Sequence, residues 1–215
     1  MTLRINDIAP NFTASSTRGE INFHDWIGDG WAVLFSHPKH KTPVCSTELG
    51  EVEKLADEFA KRNVKTIGLS VDTVDETSSW LEDINDIAGA KPSFPIIADT
   101  DMAVSKLYNM LPALEEGTSD GRTALDNETV RTVFIVGPDK KVKLYLTYPM
   151  TTGRNFNEIL RVIDSMLLTS SHPVATPVNW NKGEEVIIKP SVKDEEAKKL
   201  FPDGWKTIKP YLRKI

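Results

Sequence analysis

The chain has 215 residues, 40% of them hydrophobic, with 31 acidic against 26 basic side chains, a net charge of −5 and one cysteine. That size implies one main domain of roughly 150 to 170 residues plus an appendage, and the apolar content supports a substantial core. The acidic balance argues against nucleic acid as the main partner, and a single cysteine excludes a disulfide within the chain. The start, Met1 to Asp7, has no apolar signal core, and no later run is long enough to span a bilayer. A cytosolic, reducing compartment is the expectation.

Apolar strand-like runs alternate with helical patterns along the chain. Trp31 to Phe35 reads as a buried strand, after which Leu49, Val52, Leu55, Ala56 and Phe59 recur at helical spacing. Val64 to Val71 is the next strand, Trp80, Ile84, Ile87 and Ala88 mark a second helix, Phe94 to Ala98 another strand, and Ala103 to Met110 a further helix. Arg131 to Val136 and Val142 to Thr147 flank the turn Gly137-Pro138-Asp139-Lys140 as a hairpin does. Asn155 to Glu158 has capping-box spacing ahead of Ile159, Leu160, Ile163, Met166 and Leu167. The pattern is a βαβ core closed by a hairpin and a helix, within the α/β class. Its division is expected at residues 1–169 and 170–215. The last segment is proline-rich and charged, yet Trp180, Ile187, Phe201, Trp205 and Tyr211 make it too apolar for a solvated tail, so it needs a surface to cover.

Cys45 lies between the strand ending near Phe35 and the following helix. A thiol in a first helical turn meets unpaired N–H groups and the positive end of the helix dipole, which favour thiolate. In the spacing Pro38, Thr42, Cys45, the proline stiffens the strand exit, Pro43 suits an early helix position, and the Thr42 hydroxyl is free to hydrogen-bond beside the sulfur. Attack on an O–O bond needs such a pocket, because charge develops on the departing oxygen and must be met by oriented donors. Glu48 stands where a dithiol oxidoreductase would carry its second cysteine, so dithiol exchange within the chain is excluded.

This run, together with Lys61 to Lys65, Phe94 to Ile97, Val136 to Lys141, Thr151 to Phe156, Val174 to Val178 and Glu195 to Pro202, resembles the 1-Cys peroxiredoxins over essentially the whole chain. The resemblance implies a thioredoxin-like fold, a central mixed sheet flanked by helices, with a smaller C-terminal domain that reaches across a homodimer. It implies a peroxidase that needs neither cofactor nor metal, in which Cys45 attacks a hydroperoxide positioned by Thr42, Pro38 and Arg131. An external thiol, from glutathione, thioredoxin or a glutaredoxin, then resets the sulfenic acid. Arg131 is expected beside the sulfur with its guanidinium fork fixed by Glu48. Arg154 is either a second cationic neighbour or charge ahead of a helix. His37 is either a hydrogen-bonding or proton-handling neighbour of the sulfur, or a histidine satisfied by backbone at a strand end. His37, His40 and Cys45 lack a fourth ligand for a metal.

The chain departs from its mammalian relatives at two places. Where those carry a Gly-x-Ser-x-Gly-like run linked to phospholipase action, the sequence reads Gly28-Asp29-Gly30-Trp31-Ala32. His24 and Asp139 match the other members proposed for that activity, but with no serine hydroxyl there they cannot form an acyl enzyme, so serine-dependent phospholipase action is expected to be absent. Lys41 stands where relatives often place an aromatic residue, which puts a positive charge at the pocket mouth. A redox sensor or holdase, reacting once and changing partners, and a non-catalytic binding module are the alternatives from other classes. Turnover with a reductant separates the first from a peroxidase, and loss of peroxide reaction in Cys45→Ser eliminates the second.

Overall fold

The computed structural model describes residues 3–111, 117–123, 126 and 131–215, which fall into two compact units, one up to Arg154 and one from Asn155. The first contains strands β1 (Thr13–Ser16), β2 (Gly19–Asn22), β3 (Trp31–Ser36), β4 (Val64–Ser70), β5 (Ile96–Ala98), β6 (Arg131–Val136) and β7 (Val142–Tyr148). They form one sheet in the order β2-β1-β5-β4-β3-β6-β7. β3 pairs in parallel with β4 and antiparallel with β6, and all six residues of β3 are buried. A strand covered on both faces has to be apolar on both, which is why Trp31-Ala32-Val33-Leu34-Phe35 runs without alternation. The sheet is mixed, as the resemblance implied. On one face Leu34, Ile67, Leu69, Phe134 and Val136 pack with Phe23, Ile27 and Tyr108.

Among the described residues this unit also holds helices α1 (Phe23–Ile27), α2 (Pro43–Lys54), α3 (Ala56–Ala60), α4 (Val74–Ala88) and α5 (Ala103–Leu107). The single helix expected through Phe59 is broken at Leu55, whose backbone (φ −92°, ψ 6°) separates α2 from α3. α4 starts on a capping box between Thr73 and Glu76 and stops at Gly89, which takes the left-handed conformation (φ 67°). α2 and α4 approach so closely that a Cβ on Gly50 would lie 2.2 Å from that of Ala88. The strand expected from Phe94 is shorter, beginning at Ile96. The β1–β2 hairpin was not expected from the sequence; its short polar strands lack an apolar alternation, and they are joined through Gly19 at φ 91°.

The second unit opens with α6 (Phe156–Ser171), capped by the Asn155 side chain accepting from Glu158 N, followed by α7 (Asp194–Leu200) and the short strands β8 (Val174–Ala175), β9 (Ile187–Ile188), β10 (Lys206–Lys209) and β11 (Leu212–Lys214). The strands form an antiparallel sheet in the order β10-β11-β9-β8. Val174, Trp180 and Val186 cluster with Leu168, Phe201 and Ile215. Arg213 is buried, donating to Asp194 at 2.7 Å and to the carbonyl of Val192 at 2.6 Å. The apolar residues of the C-terminal segment thus build a small core. The division expected between residues 169 and 170 falls inside α6, and the compact units part instead at Arg154. The reason is that α6 joins the segment that follows it: Arg161 donates to the Trp180 carbonyl at 2.9 Å, and Ser165 and Thr176 share a hydrogen bond of 2.7 Å.

Candidate active site

β3 delivers the chain to a buried turn, His37 and Pro38, from which Lys39 to Thr42 lead into α2. Thr42 is the N-cap in extended conformation and Pro43 occupies the first helical position, where a missing N–H costs nothing. Cys45 is therefore the third residue of α2, and its side chain has no exposed surface. The antiparallel pairing of β6 with β3, Phe35 opposite Val133, carries the start of β6 past the end of β3 toward this turn. Arg131 heads β6, and its Nη2 lies 3.4 Å from Cys45 Sγ in a hydrogen bond.

One carboxylate organises the surroundings of the sulfur. Glu48, one helical turn after Cys45 and 3% exposed, accepts from Arg131 Nη1 through Oε2. It also accepts from Arg154, whose Nη2 is 2.6 Å from Oε2, and whose Nε and backbone N are 3.0 and 2.8 Å from Oε1. The fork-on-carboxylate geometry expected for Arg131 therefore belongs to Arg154, while Arg131 makes a single contact to Glu48 and is held from its other side by Nε donating to the Met150 carbonyl at 2.7 Å. Arg154 also donates to the Ser36 carbonyl at 2.7 Å, tying the cluster to the end of β3. Arg154 is buried and joins the Glu48 carboxylate that also holds Arg131. Two buried guanidiniums share one carboxylate, and one of them, Arg131, also donates to Cys45 Sγ.

Thr42 Oγ1 donates to the Lys39 carbonyl at 3.0 Å and makes no capping bond, so its lone pairs stay open. The Thr42 carbonyl holds the first turn of α2 by accepting from Ser46 N at 3.0 Å and Ser46 Oγ at 2.9 Å. His37 is fully buried, and neither ring nitrogen has a hydrogen-bond partner among the described residues, although its backbone N donates to the Leu69 carbonyl at 3.0 Å. Burial, with the charges of His40, Arg154 and Arg131, pushes its pKa well below the ordinary 6.5 and keeps the ring neutral. The ring stacks against His40 at 5.1 Å and lies 5.5 Å from Trp80. Burial likewise lowers His40 to about 4, despite the opposing pull of Asp72, which accepts from His40 N at 2.9 Å. Trp80 Nε1 donates to Ser46 Oγ at 3.2 Å, so α4 braces the turn that carries the sulfur. Sequence reasoning placed Trp80 only as a core position of a helix and missed Asp72; a backbone acceptor such as the Met150 carbonyl leaves no signal in a sequence.

His24 and Asp139 are engaged elsewhere: His24 Nε2 meets the Ala9 carbonyl at 2.8 Å, and Asp139 accepts from Lys143 Nζ at 2.6 Å. Among the described residues no helix is long and apolar enough to cross a membrane.

Residues 5–145 match the model of the AhpC/TSA family, and residues 166–204 that of the C-terminal domain of 1-Cys peroxiredoxin. Peroxiredoxin-6 of Rattus norvegicus is 54% identical, the alignment covering 94% of this chain and 90% of the relative. The mitochondrial peroxiredoxin PRX1 of Saccharomyces cerevisiae is 52% identical over 98% of this chain and 80% of its own. Its name overturns the expectation of a cytosolic protein, which rested on the absence of an apolar leader and of a membrane-spanning run and on the single cysteine. Among solved structures, the yeast mitochondrial 1-Cys peroxiredoxin superposes with a TM-score of 0.91 at 50% identity, covering 99% of both chains. A mutant peroxiredoxin 6 of Arenicola marina gives 0.88 at 47% identity, covering 99% of this chain and 97% of the other. With both family models matched in order and the thioredoxin-like sheet in place, the chain belongs to the peroxiredoxin family as a 1-Cys peroxiredoxin, a thiol-dependent peroxidase.

Proposed function

We propose that the chain reduces hydrogen peroxide and organic hydroperoxides at Cys45, and that Arg131, Thr42 and Pro38 shape the site. The observation that carries this reading is the Arg131 guanidinium spanning Glu48 and the Cys45 sulfur. Two guanidiniums against one carboxylate leave the buried cluster one negative charge short, and a Cys45 thiolate supplies it. The thiolate attacks the outer oxygen of the peroxide, an S–O bond forms as the O–O bond breaks, and the departing hydroxide or alkoxide takes up a proton. Arg131 donates toward the charge that grows on the oxygens, and the open lone pairs of Thr42 Oγ1 receive the peroxide O–H. His37, neutral and buried, contributes shape without a charge that would compete with Arg131 for the sulfur. Glu48 and Arg154 are positioning residues.

A thiol from outside the chain then attacks the sulfenic sulfur and water leaves; a second thiol releases the resulting mixed disulfide and restores Cys45. The yeast mitochondrial 1-Cys peroxiredoxin resolves its thiol through glutathione and thioredoxin systems. The same two classes of reductant are proposed for this chain. Residues 170–215 are proposed as an arm across a homodimer; light scattering of the full chain beside one ending near Thr169 tests it, and an unchanged dimer with unchanged activity would remove the idea. Serine-dependent phospholipase action is proposed to be absent, and fatty acid released from phosphatidylcholine vesicles by a serine-reactive species would refute this.

The deciding experiment mixes the reduced protein and Cys45→Ser with limiting hydrogen peroxide and traps the product with a sulfenic-acid probe read by intact mass. Rapid consumption with one trapped oxygen per chain, lost in the variant, is the expected result. Consumption no faster than by a free thiol would remove the peroxidatic assignment.

A further inference from the structure

An open groove of about 580 Å³ lies between the N-terminal turn of α2 and the outer face of α4. Its walls carry opposite charge: Lys41 on the α2 side, Asp83 and Asp86 on the α4 side, with Pro43, Trp80 and Ile87 between them. All three charged residues are exposed, and none makes an ion pair among the described residues. Lys41 holds a left-handed backbone (φ 54°) just ahead of the N-cap, and Ile87 is 60% exposed. A volume of this size suits a small ligand, and a tripeptide, about 10 Å long when extended, can present a positive and a negative group at its two ends.

The groove also borders the part of the molecule that has to move. Cys45 is buried and sits in the first turn of α2, so a thiol too bulky for the closed site reaches its sulfenic acid when that turn opens. That turn is held by Ser46 N and Oγ donating to the Thr42 carbonyl, and both Thr42 and Ser46 line the groove. A ligand seated there rests on the turn whose opening exposes the sulfur.

We propose that this groove is the docking subsite for a small zwitterionic peptide thiol as reductant, its ammonium group facing Asp83 and Asp86 and a carboxylate facing Lys41. This deepens the proposed peroxidase cycle and rests on it for the chemistry. The bound thiol attacks the sulfenic sulfur, forming an S–S bond as the S–O bond breaks. Its proton and the sulfenic hydroxyl leave as water, and a second molecule of thiol attacks the mixed disulfide, releasing the thiol's own disulfide and restoring Cys45. A neutral thiol of the same reactivity gains nothing from the three charges.

Two measurements test the subsite with the full-length protein. In the first, S-methylglutathione, which has the charges but cannot react, is titrated into reduced protein and followed by NMR. Saturable shifts in wild type that disappear in Asp83→Asn/Asp86→Asn are expected, and no binding at tens of millimolar overturns the proposal whatever the fate of the peroxide reaction. In the second, Cys45 is oxidised with one equivalent of peroxide and the rate of mixed-disulfide formation is read by mass with glutathione and with 2-mercaptoethanol. The ratio of the two rates should fall about tenfold in Asp83→Asn/Asp86→Asn and in Lys41→Glu, the scale of two solvent-screened ion pairs. It should also fall with added salt. An unchanged ratio overturns the subsite while leaving the peroxidase intact. A ratio unchanged for small thiols, with slower reduction by a thioredoxin, would also overturn it and assign the groove to a protein partner.

Discussion

Glu48→Gln keeps the shape of the side chain while removing the charge that both arginines share. Oε1 accepts from Arg154 N and Nε, and Oε2 from Arg154 Nη2 and Arg131 Nη1. Whichever way an amide is turned, its NH₂ group meets two N–H donors that previously met an oxygen. At about 1.5 to 3 kcal/mol for a hydrogen bond to a charged group, two lost bonds cost about 3 to 6 kcal/mol. That agrees with about 3 to 5 kcal/mol for breaking a buried ion pair from one side. Domains of this kind are stable by about 5 to 15 kcal/mol, so the variant should fold and unfold at a clearly lower denaturant midpoint. Arg131 keeps its bond to the Met150 carbonyl; with the NH₂ at the Oε2 place it loses the anchor beside Nη2, the nitrogen aimed at the sulfur, and with the NH₂ at the Oε1 place it keeps an acceptor that has lost its charge. The rate of Cys45 oxidation should then fall by about 10² to 10³, the scale of one misplaced donor. Denaturation gives the first quantity, and rapid quench with a sulfenic-acid probe gives the second. A midpoint shift worth less than about 1 kcal/mol together with a wild-type oxidation rate would show that Glu48 does not hold the arginines for catalysis.

Arg131→Ala and Thr42→Val should each slow Cys45 oxidation by roughly one to three orders of magnitude, and rates equal to wild type in both would remove their assigned roles. His40, lowered by burial to about 4, takes its proton in the unfolded chain near 6.5 but in the folded chain only near 4, so between these values the unfolded state binds more protons. The stability this group leaves intact above pH 6.5 is lost on acidification to pH 4, by about 3 kcal/mol in all, with His37 acting in the same direction. Guanidinium unfolding at pH 7 and pH 4.5 measures it, and His40→Gln should flatten the dependence. Gly50→Ala forces a methyl into Ala88 across the α2–α4 contact and should destabilise by about 1 to 3 kcal/mol; a more stable variant would show that the helices separate freely.

The sheet core was legible because β3 is apolar from Trp31 to Phe35, β6 is apolar from Val133 to Val136 and β4 carries Val64, Ile67 and Leu69, while α4 shows Trp80, Ile84, Ile87 and Ala88 at helical spacing and α6 announces itself by its capping residue Asn155. The β1–β2 hairpin was not, since Thr13 to Ser16 and Gly19 to Asn22 carry little apolar surface and owe their strands to pairing with each other and with β5. At the site, Cys45 and the residues around it stand in one short motif, and Arg131 stood out at the head of a strand. The partners were harder to see. Glu48 chooses between Arg131 and Arg154 by where two distant chain segments arrive, and sequence spacing carries no record of which guanidinium presents its fork. His37 shows the same limit, because its neutrality comes first from complete burial, with His40 and two arginines that arrive from distant segments adding to it, and spacing along the chain does not reveal that burial.

The bond from Trp80 Nε1 to Ser46 Oγ, with the indole 4.7 Å from the His40 ring, gives the molecule an optical readout of its own cycle. The indole is 1% exposed, and its only polar handle is attached to the residue next to Cys45. Any displacement of the first turn of α2 changes the hydrogen bonding and quenching of that chromophore. Its emission should therefore step once when the sulfur gains oxygen and again when the thiol returns, and a Trp80→Phe protein should go dark to both steps while its chemistry is followed by mass.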